Sequence, residues 1–143
     1  CPDNPVLAGG GVGVPPLYGL AKRMLAAGKK PTVVLGFNTA AEIFYDMQFA
    51  ALGVAVSVAT VDGTAGVKGF VTALIPEGAY VCACGPEPML KAVYNKAAGG
   101  QFSFEARMGC GFGACMGCTC KTVTGHKRIC KEGPVLFKEE ILW

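Results

Sequence analysis

Histidine is nearly missing from this chain: one, His126, stands in 143 residues. A Rieske centre needs two imidazoles and is excluded, and His126, within Thr124-Gly-His-Lys-Arg128, reads as a solvated turn residue. Charge is also sparse. Only 16% of residues are charged, the net charge is +3, and the lysines and arginines are dispersed, so no nucleic-acid footprint is implied. Long apolar runs are absent too. Gly53, Ser57, Thr60 and Asp62 break up the richest region before it reaches the roughly 18 residues that a membrane-spanning helix needs. The opening Cys-Pro-Asp-Asn-Pro lacks the charged and apolar regions of a signal peptide, so free thiols in a reducing cytoplasm are expected. Pro5-Val-Leu-Ala8 already reads as a strand with no lead-in element, as in a chain cut between domains, and a further domain upstream is expected.

What is present is cysteine, glycine and apolar bulk: 8 Cys, 21 Gly and 52% hydrophobic residues, suited to a sheet covered on both faces or a surface meant for a partner. Near the end stands Cys110-Gly-Phe-Gly-Ala-Cys115-Met-Gly-Cys118, with Cys130 further on. Four and then two residues between thiols, followed by a distant fourth, is the spacing with which plant-type ferredoxins hold a [2Fe–2S] cluster. Gly111 and Gly113 let the first loop arch so that its N–H groups approach sulfur. The expectation is electron transfer. Zinc held by four thiolates is an alternative, although zinc sites pair two short knuckles and here three cysteines crowd together. Disulfides are another, requiring an oxidising compartment. Plain core packing is the third and suits Cys82 better than a glycine-rich loop. Cys120 lies two positions beyond Cys118, on the same side of an extended segment, and is expected not to be a ligand because the spacing is met without it. Cys1 has no cluster geometry.

Upstream, strand and helix patterns alternate. Val6-Leu-Ala8 runs into Gly9-Gly-Gly-Val-Gly13-Val-Pro-Pro16, and Leu17, Leu20, Ala21, Met24 and Leu25 then recur at helical spacing up to Gly28. Proline suits a helix first turn, and the free N–H groups of that turn favour a phosphate. Gly9 and Gly11 fit the G-x-G-x-x-G fingerprint but Val14 takes the third glycine's place, so a structural turn stays open. Pro31 to Phe37 reads as a buried parallel strand. Asn38 follows where an ordinary Rossmann dehydrogenase shows an acid for ribose. A helix is expected with Ile43, Met47 and Ala50 on its inner face, ending at Gly53, with Phe44, Tyr45 and Phe49 as packing. Val54 to Val61 gives a third strand, closed by Asp62-Gly63, and Lys68 to Leu74 a short helix. Asp62, at a strand's carboxyl end, suits either ribose hydroxyls or simple turn formation. Tyr80 to Cys84 is a fourth strand, which Gly85-Pro86 turns into a helix carrying Met89, Leu90, Val93 and Ala97; Gln101 to Phe104 offers a fifth. The fold class expected is therefore α/β: a doubly wound parallel sheet over residues 1–104, followed by a separate small cysteine module over 105–143.

These residues together resemble the electron-transfer subunits of class 1B dihydroorotate dehydrogenases, which are ferredoxin reductase-like flavoproteins. The specific part is Glu105-Ala-Arg-Met108-Gly-Cys110 through Cys118, followed by Arg128-Ile-Cys130-Lys-Glu-Gly133-Pro134-Val135; the loop Gly9 to Pro16, Asp62-Gly63 and Cys84-Gly85-Pro86 occur in the family's order. The resemblance covers essentially all of this chain. It implies an FAD-binding barrel that is not in this sequence, an α/β domain binding NAD(H), and a [2Fe–2S] cluster held by Cys110, Cys115, Cys118 and Cys130. It places the NADH pyrophosphate near Gly10, Gly11, Val12, Gly13 and Val14, the adenosine near Asp62 and Gly63, and the nicotinamide near Cys84, Gly85 and Pro86. It implies electron passage between NAD(H), FAD, the cluster and the FMN of a partner dihydroorotate dehydrogenase catalytic subunit in pyrimidine biosynthesis. No general acid or base is then needed, Cys84 is expected to pack or shape the hydride path, and this chain alone is expected to be inactive toward orotate. Related subunits that serve NAD(P)H:ferredoxin or sulfide dehydrogenase chemistry are the nearest alternative, and a non-enzymatic zinc module is a third.

Overall fold

The strand-loop-helix pattern at the start builds the centre of the molecule. In a computed structural model describing residues 1–143, strand β1 (Val6–Gly10) is buried along its whole length, as a strand covered on both faces must be. A 3-10 turn, Gly11–Gly13, leads into helix α1 (Val14–Ala26), whose first turn carries Pro15 and Pro16 as expected. Strand β2 (Thr32–Phe37), helix α2 (Asp46–Ala51), strand β3 (Ala55–Thr60) and the two-residue strand β4 (Val67–Lys68) follow. Then come β5 (Tyr80–Cys84), helix α3 (Glu87–Lys96) and β6 (Gly99–Ser103). The remainder holds β7 (Thr119–Thr122), β8 (Gly125–Arg128) and β9 (Val135–Phe137).

The main sheet runs β4-β3-β2-β1-β5-β6-β9, parallel throughout except for β9, which pairs antiparallel with β6. Alternation along each strand sorts side chains to two faces. Leu7, Val33 and Leu35 join Val14, Leu17, Ala21 and Phe49 under α1 and α2. Val6, Ala8, Val34 and Val81 join Leu90, Val93 and Phe102 under α3. The fold is the doubly wound parallel sheet expected from the sequence.

Three details differ from the sequence reading. Helix α2 starts late, after Tyr45 turns left-handed at φ 67°, so a periodicity counted from Ile43 loses its phase. Met47 and Ala50 therefore face solvent, Ile43 is half-buried ahead of the helix, and fully buried Phe49 is the inner residue, with the Tyr18 ring edge-on to it. The short helix expected over Lys68 to Leu74 is instead an edge strand, β4, and a 3-10 turn, Val71–Leu74, separated by Gly69 at φ 130°. The residues after Glu105 form their own hairpin sheet, β7–β8, yet they also send β9 into the main sheet, and Cys118, Ile129, Leu136 and Ile141 share a core with Leu90 and Phe102. So short a segment has too little apolar surface to close a core of its own.

Candidate nucleotide cavity and cysteine centre

The carboxyl ends of β1, β2 and β5 open into a cavity of about 500 Å³, lined by Gly10, Gly11, Asn38, Glu42, Phe70 and Pro86 among others. This is where open α/β sheets bind ligands. Glycine is required at two positions, at Gly13 by close approach and at Gly11 by a positive φ. A Cβ on Gly13 would sit 2.1 Å from the Cys84 carbonyl oxygen, so only glycine lets the turn after β1 touch the end of β5. Gly11 has φ 51° and open space before it. The N-terminus of α1 carries no side-chain cap, but Pro15 and Pro16 have no N–H and the Val14 N–H bonds to the Gly11 carbonyl oxygen, so the helix offers an anionic ligand the positive end of its dipole rather than a row of free N–H groups. Of the five loop residues, Gly10 and Gly11 line the cavity, Val12 projects into solvent, Gly13 packs on Cys84, and Val14 is buried beneath α1. Pro86 lines the cavity; Cys84 and Gly85 stand just behind it.

Asp62 and Gly63 lie outside the lining. The Asp62 Oδ1 accepts hydrogen bonds from the Thr64 N–H (2.9 Å) and hydroxyl (2.7 Å), and these bonds hold its carboxyl below the usual carboxylate range. Thr64 Oγ1 in turn accepts the Ala40 N–H at 2.8 Å, so the turn after β3 braces the 3-10 turn Ala40–Glu42 that follows β2. That 3-10 turn carries a carboxylate the sequence reading missed. Glu42 accepts from the Asn38 N–H (3.1 Å) and side-chain amide (3.0 Å) and faces the cavity. Its sequence signal was Thr39-Ala-Ala-Glu42, the spacing of a capping box. Phe70 was missed as well: 70% exposed, it presents an aromatic face on the cavity rim.

Beyond Pro86 lies a second cavity of about 370 Å³, whose lining includes Gly85, Glu87, Phe104, Glu105 and Arg107. A third, of about 240 Å³, shares Glu87, Phe104 and Glu105 with it and reaches Cys118 and Cys120. The nucleotide cavity and the cysteine segment are thus joined along one edge of the sheet. The Cys84 thiol, at the end of β5, is pushed up by burial, which the Ser103 hydroxyl opposes, and this favours its protonated form.

The cysteine loop supplies N–H groups to sulfur. Cys110 Sγ accepts from the backbone of Ala114 (3.3 Å) and Cys115 (3.4 Å), Cys115 Sγ from Gly117 (3.4 Å), and Cys118 Sγ from Cys130 (3.4 Å). Gly111 at φ 74°, Gly113 at φ 92° and Met116 at φ 61° make the bends that aim these donors. The backbone donors, that of Cys115 foremost, bring Cys110 down to about 6, and the Cys130 N–H lowers Cys118. Cys130 is pushed up by its hydrogen bond with the Cys118 thiol.

The hydrogen bonds link the four cysteines as two pairs, Cys115 N–H to Cys110 Sγ and Cys130 N–H to Cys118 Sγ. No three metal-ligating side chains converge on one point as a mononuclear zinc site requires. Two adjacent thiol pairs bathed in N–H donors fit a two-iron cluster, with two thiolates to each iron. Cys120 is half-buried against the core and its thiol is pushed up by burial; Cys82 is buried and raised to about 11; Cys1 is exposed at the far end of the chain. All eight cysteines are free thiols, and no helix is long and apolar enough to cross a membrane. His126 is exposed on β8.

Residues 105–142 match the iron–sulfur cluster binding domain of dihydroorotate dehydrogenase B. The chain is 46% identical over 146 residues to the dihydroorotate dehydrogenase B (NAD(+)) electron transfer subunit of Geobacillus sp. (strain WCH70), covering 96% of this chain and 56% of that protein. The corresponding subunit of Lysinibacillus sphaericus is 47% identical, with 93% and 55% covered. Among solved structures, an NADH-dependent reduced ferredoxin-NADP oxidoreductase studied for flavin-based electron bifurcation superposes with a TM-score of 0.86 at 32% identity, over 98% of this chain and 54% of that one. The chain spans a little over half the length of the curated relatives it matches. Residues 105–142 thus match that iron–sulfur domain, and nearly the whole chain is similar in sequence to dihydroorotate dehydrogenase B electron transfer subunits and in fold to a ferredoxin-NADP oxidoreductase.

Proposed function

We propose that this chain carries electrons between NAD(H) and an FMN-containing dihydroorotate dehydrogenase catalytic subunit, in pyrimidine biosynthesis in a reducing cytoplasm, using FAD and a [2Fe–2S] cluster. The observation that carries the reading is the run of three cavities along the carboxyl edge, which share Pro86 and then Glu87, Phe104 and Glu105, and lead from the glycine turn to Cys118. Gly11, with open space before it, admits the dinucleotide backbone closely, Gly10 packs against Met89 in the cavity wall, the start of α1 faces the pyrophosphate, and the Gly13 contact fixes the turn against Cys84-Gly85-Pro86, where the nicotinamide is seated. Asp62 and Gly63 act at one remove, through Thr64 and Ala40, on the wall that meets the adenosine. Cys110, Cys115, Cys118 and Cys130 hold the cluster, and backbone N–H groups reach the sulfurs of Cys110, Cys115 and Cys118. When bound, the flavin and the cluster supply the conversion between two-electron hydride chemistry and one-electron transfer. The protein's residues bind, orient and insulate; none acts as a general acid or base.

Alone, the chain is inactive toward orotate. Anaerobic reconstitution with iron and sulfide, followed by electron paramagnetic resonance after dithionite reduction, tests the cluster; a colourless protein with stoichiometric zinc overturns it. Calorimetric titration with NADH tests the cavity. Tight stoichiometric FAD on the isolated chain would contradict its proposed inactivity. A second reading, transfer to a ferredoxin, draws on the likeness to the ferredoxin-NADP oxidoreductase. Competition between an FMN-bearing catalytic subunit and a ferredoxin as acceptor for the full-length protein separates the two.

A further inference from the structure

Arg128 stands where the two cysteine pairs are tied together. Its Nη1 donates to the Gly113 carbonyl oxygen at 2.6 Å, across fifteen residues of chain. Its Nε donates to Glu132 at 2.9 Å, its Nη2 to the same carboxylate, and its own N–H to Glu132 Oε2 at 2.7 Å. The Arg128 carbonyl accepts the N–H groups of Lys131 (3.0 Å) and Glu132 (2.8 Å), closing the turn that contains Cys130. At Gly113 the φ of 92° favours glycine, and a Cβ would come within 2.7 Å of Lys131 Cδ and 3.4 Å of the guanidinium. The Cys110–Cys115 loop is thereby clamped onto the Cys130 turn.

The clamped unit is the Gly113–Ala114 peptide. Its oxygen is taken by Arg128, and its other end, the Ala114 N–H, donates to Cys110 Sγ at 3.3 Å. A cation on a carbonyl polarises the whole peptide and strengthens the donor at its far end, and it stops the peptide from rotating that donor away. Hydrogen bonds to cysteine sulfur, and their orientation by outer partners, set the potential of an iron–sulfur centre. We infer that Arg128 is a positioning residue for the cluster, held in aim by Glu132, which keeps the Gly113–Ala114 peptide directed at Cys110 and so raises the reduction potential.

The inference rests on the cluster assignment above. The test uses the iron-loaded protein and measures cluster content, electron paramagnetic resonance and midpoint potential for wild type, R128K and E132Q. R128K keeps the charge but loses the planar fork that bridges Gly113 and Glu132. E132Q keeps the arginine and loosens its aim while removing a negative charge. Both are expected to load and to shift to a more negative potential, with altered g-values. A purely through-space charge role predicts no shift in R128K and a positive shift in E132Q, and either result overturns the inference. Should R128K fail to load, E132Q decides alone by the sign of its shift. A wild-type protein without a [2Fe–2S] signal removes the cluster assignment itself, whereas a normal wild-type signal with unmoved variants removes only the role of Arg128.

Discussion

The glycine turn after β1 and the cysteine loop after β6 solve one problem on different supports. Each brings the backbone, freed of side chains by glycine, up to a negatively charged partner. The first rests on parallel strands and a buried core, and its helix brings a dipole rather than a row of donors, since Pro15 and Pro16 have no N–H. The second has few strands beneath it and is held by latches, Arg128 on Gly113 and Glu132 and Lys127 on Glu140, while its donors already bond to sulfur. The nucleotide site should therefore fail when packing changes, and the cysteine site when a ligand or latch is removed.

Ligand removal gives the largest effect. Cys110→Ser and Cys118→Ser, one from each pair, are expected to abolish the [2Fe–2S] signal of the reconstituted protein, whereas Cys120→Ser keeps it; a signal lost in Cys120→Ser would redraw the ligand set. On the sheet side, Phe49→Ala opens a cavity at a fully buried position and should cost about 3–5 kcal/mol in urea unfolding. Gly13→Ala forces a methyl against the Cys84 carbonyl and should cost about 1–3 kcal/mol, with NADH binding weakened at least about tenfold. If Gly13→Ala unfolds normally and still binds NADH, the turn is not the packed support it is taken to be.

The contrast also decides what could be read in the sequence. Strands β1, β2 and β5 announce themselves as apolar runs because their central residues are buried on both faces, and the cysteine spacing announces a two-iron site because ligand geometry is local. Pairing over distance leaves no such mark. Val135-Leu-Phe137 is too short to read as a strand, and its partners, Gln101 to Ser103, lie more than thirty residues away. Arg128 and Gly113 meet only once the loop has folded back. Helix α2 was misphased because one left-handed residue, Tyr45, moves Phe49 inward and Met47 outward. Glu42 was invisible as a cavity residue because a 3-10 turn, not a strand end, returns it to Asn38.

The smallest effects concern the two acids near the adenosine wall, and they sharpen the distinction between lining a site and supporting it. Glu42 faces the cavity with its carboxylate aimed by the Asn38 N–H and amide, whereas both bonds to Asp62 come from Thr64 in the turn behind. A carboxylate brought back beside the end of the second strand, as Glu42 is by its hydrogen bonds with Asn38, accepts from ribose hydroxyls and repels a 2′-phosphate. Glu42→Gln should weaken NADH about fivefold, corresponding to about 1 kcal/mol, and narrow its preference over NADPH. Asp62→Ala should weaken NADH by less than Glu42→Gln and leave that preference alone, because only the brace to Ala40 is disturbed. Because the Asp62 pKa is depressed in the folded protein, its contribution to the turn is complete above the ordinary carboxylate range and fades only as pH falls through the lowered value, so the Asp62→Ala effect should not vary around neutrality. Calorimetric titration of both variants with both nucleotides checks this. If Asp62→Ala proves the more damaging, with a change in nucleotide preference, the ribose contact belongs to Asp62, and Glu42 merely ties down Asn38.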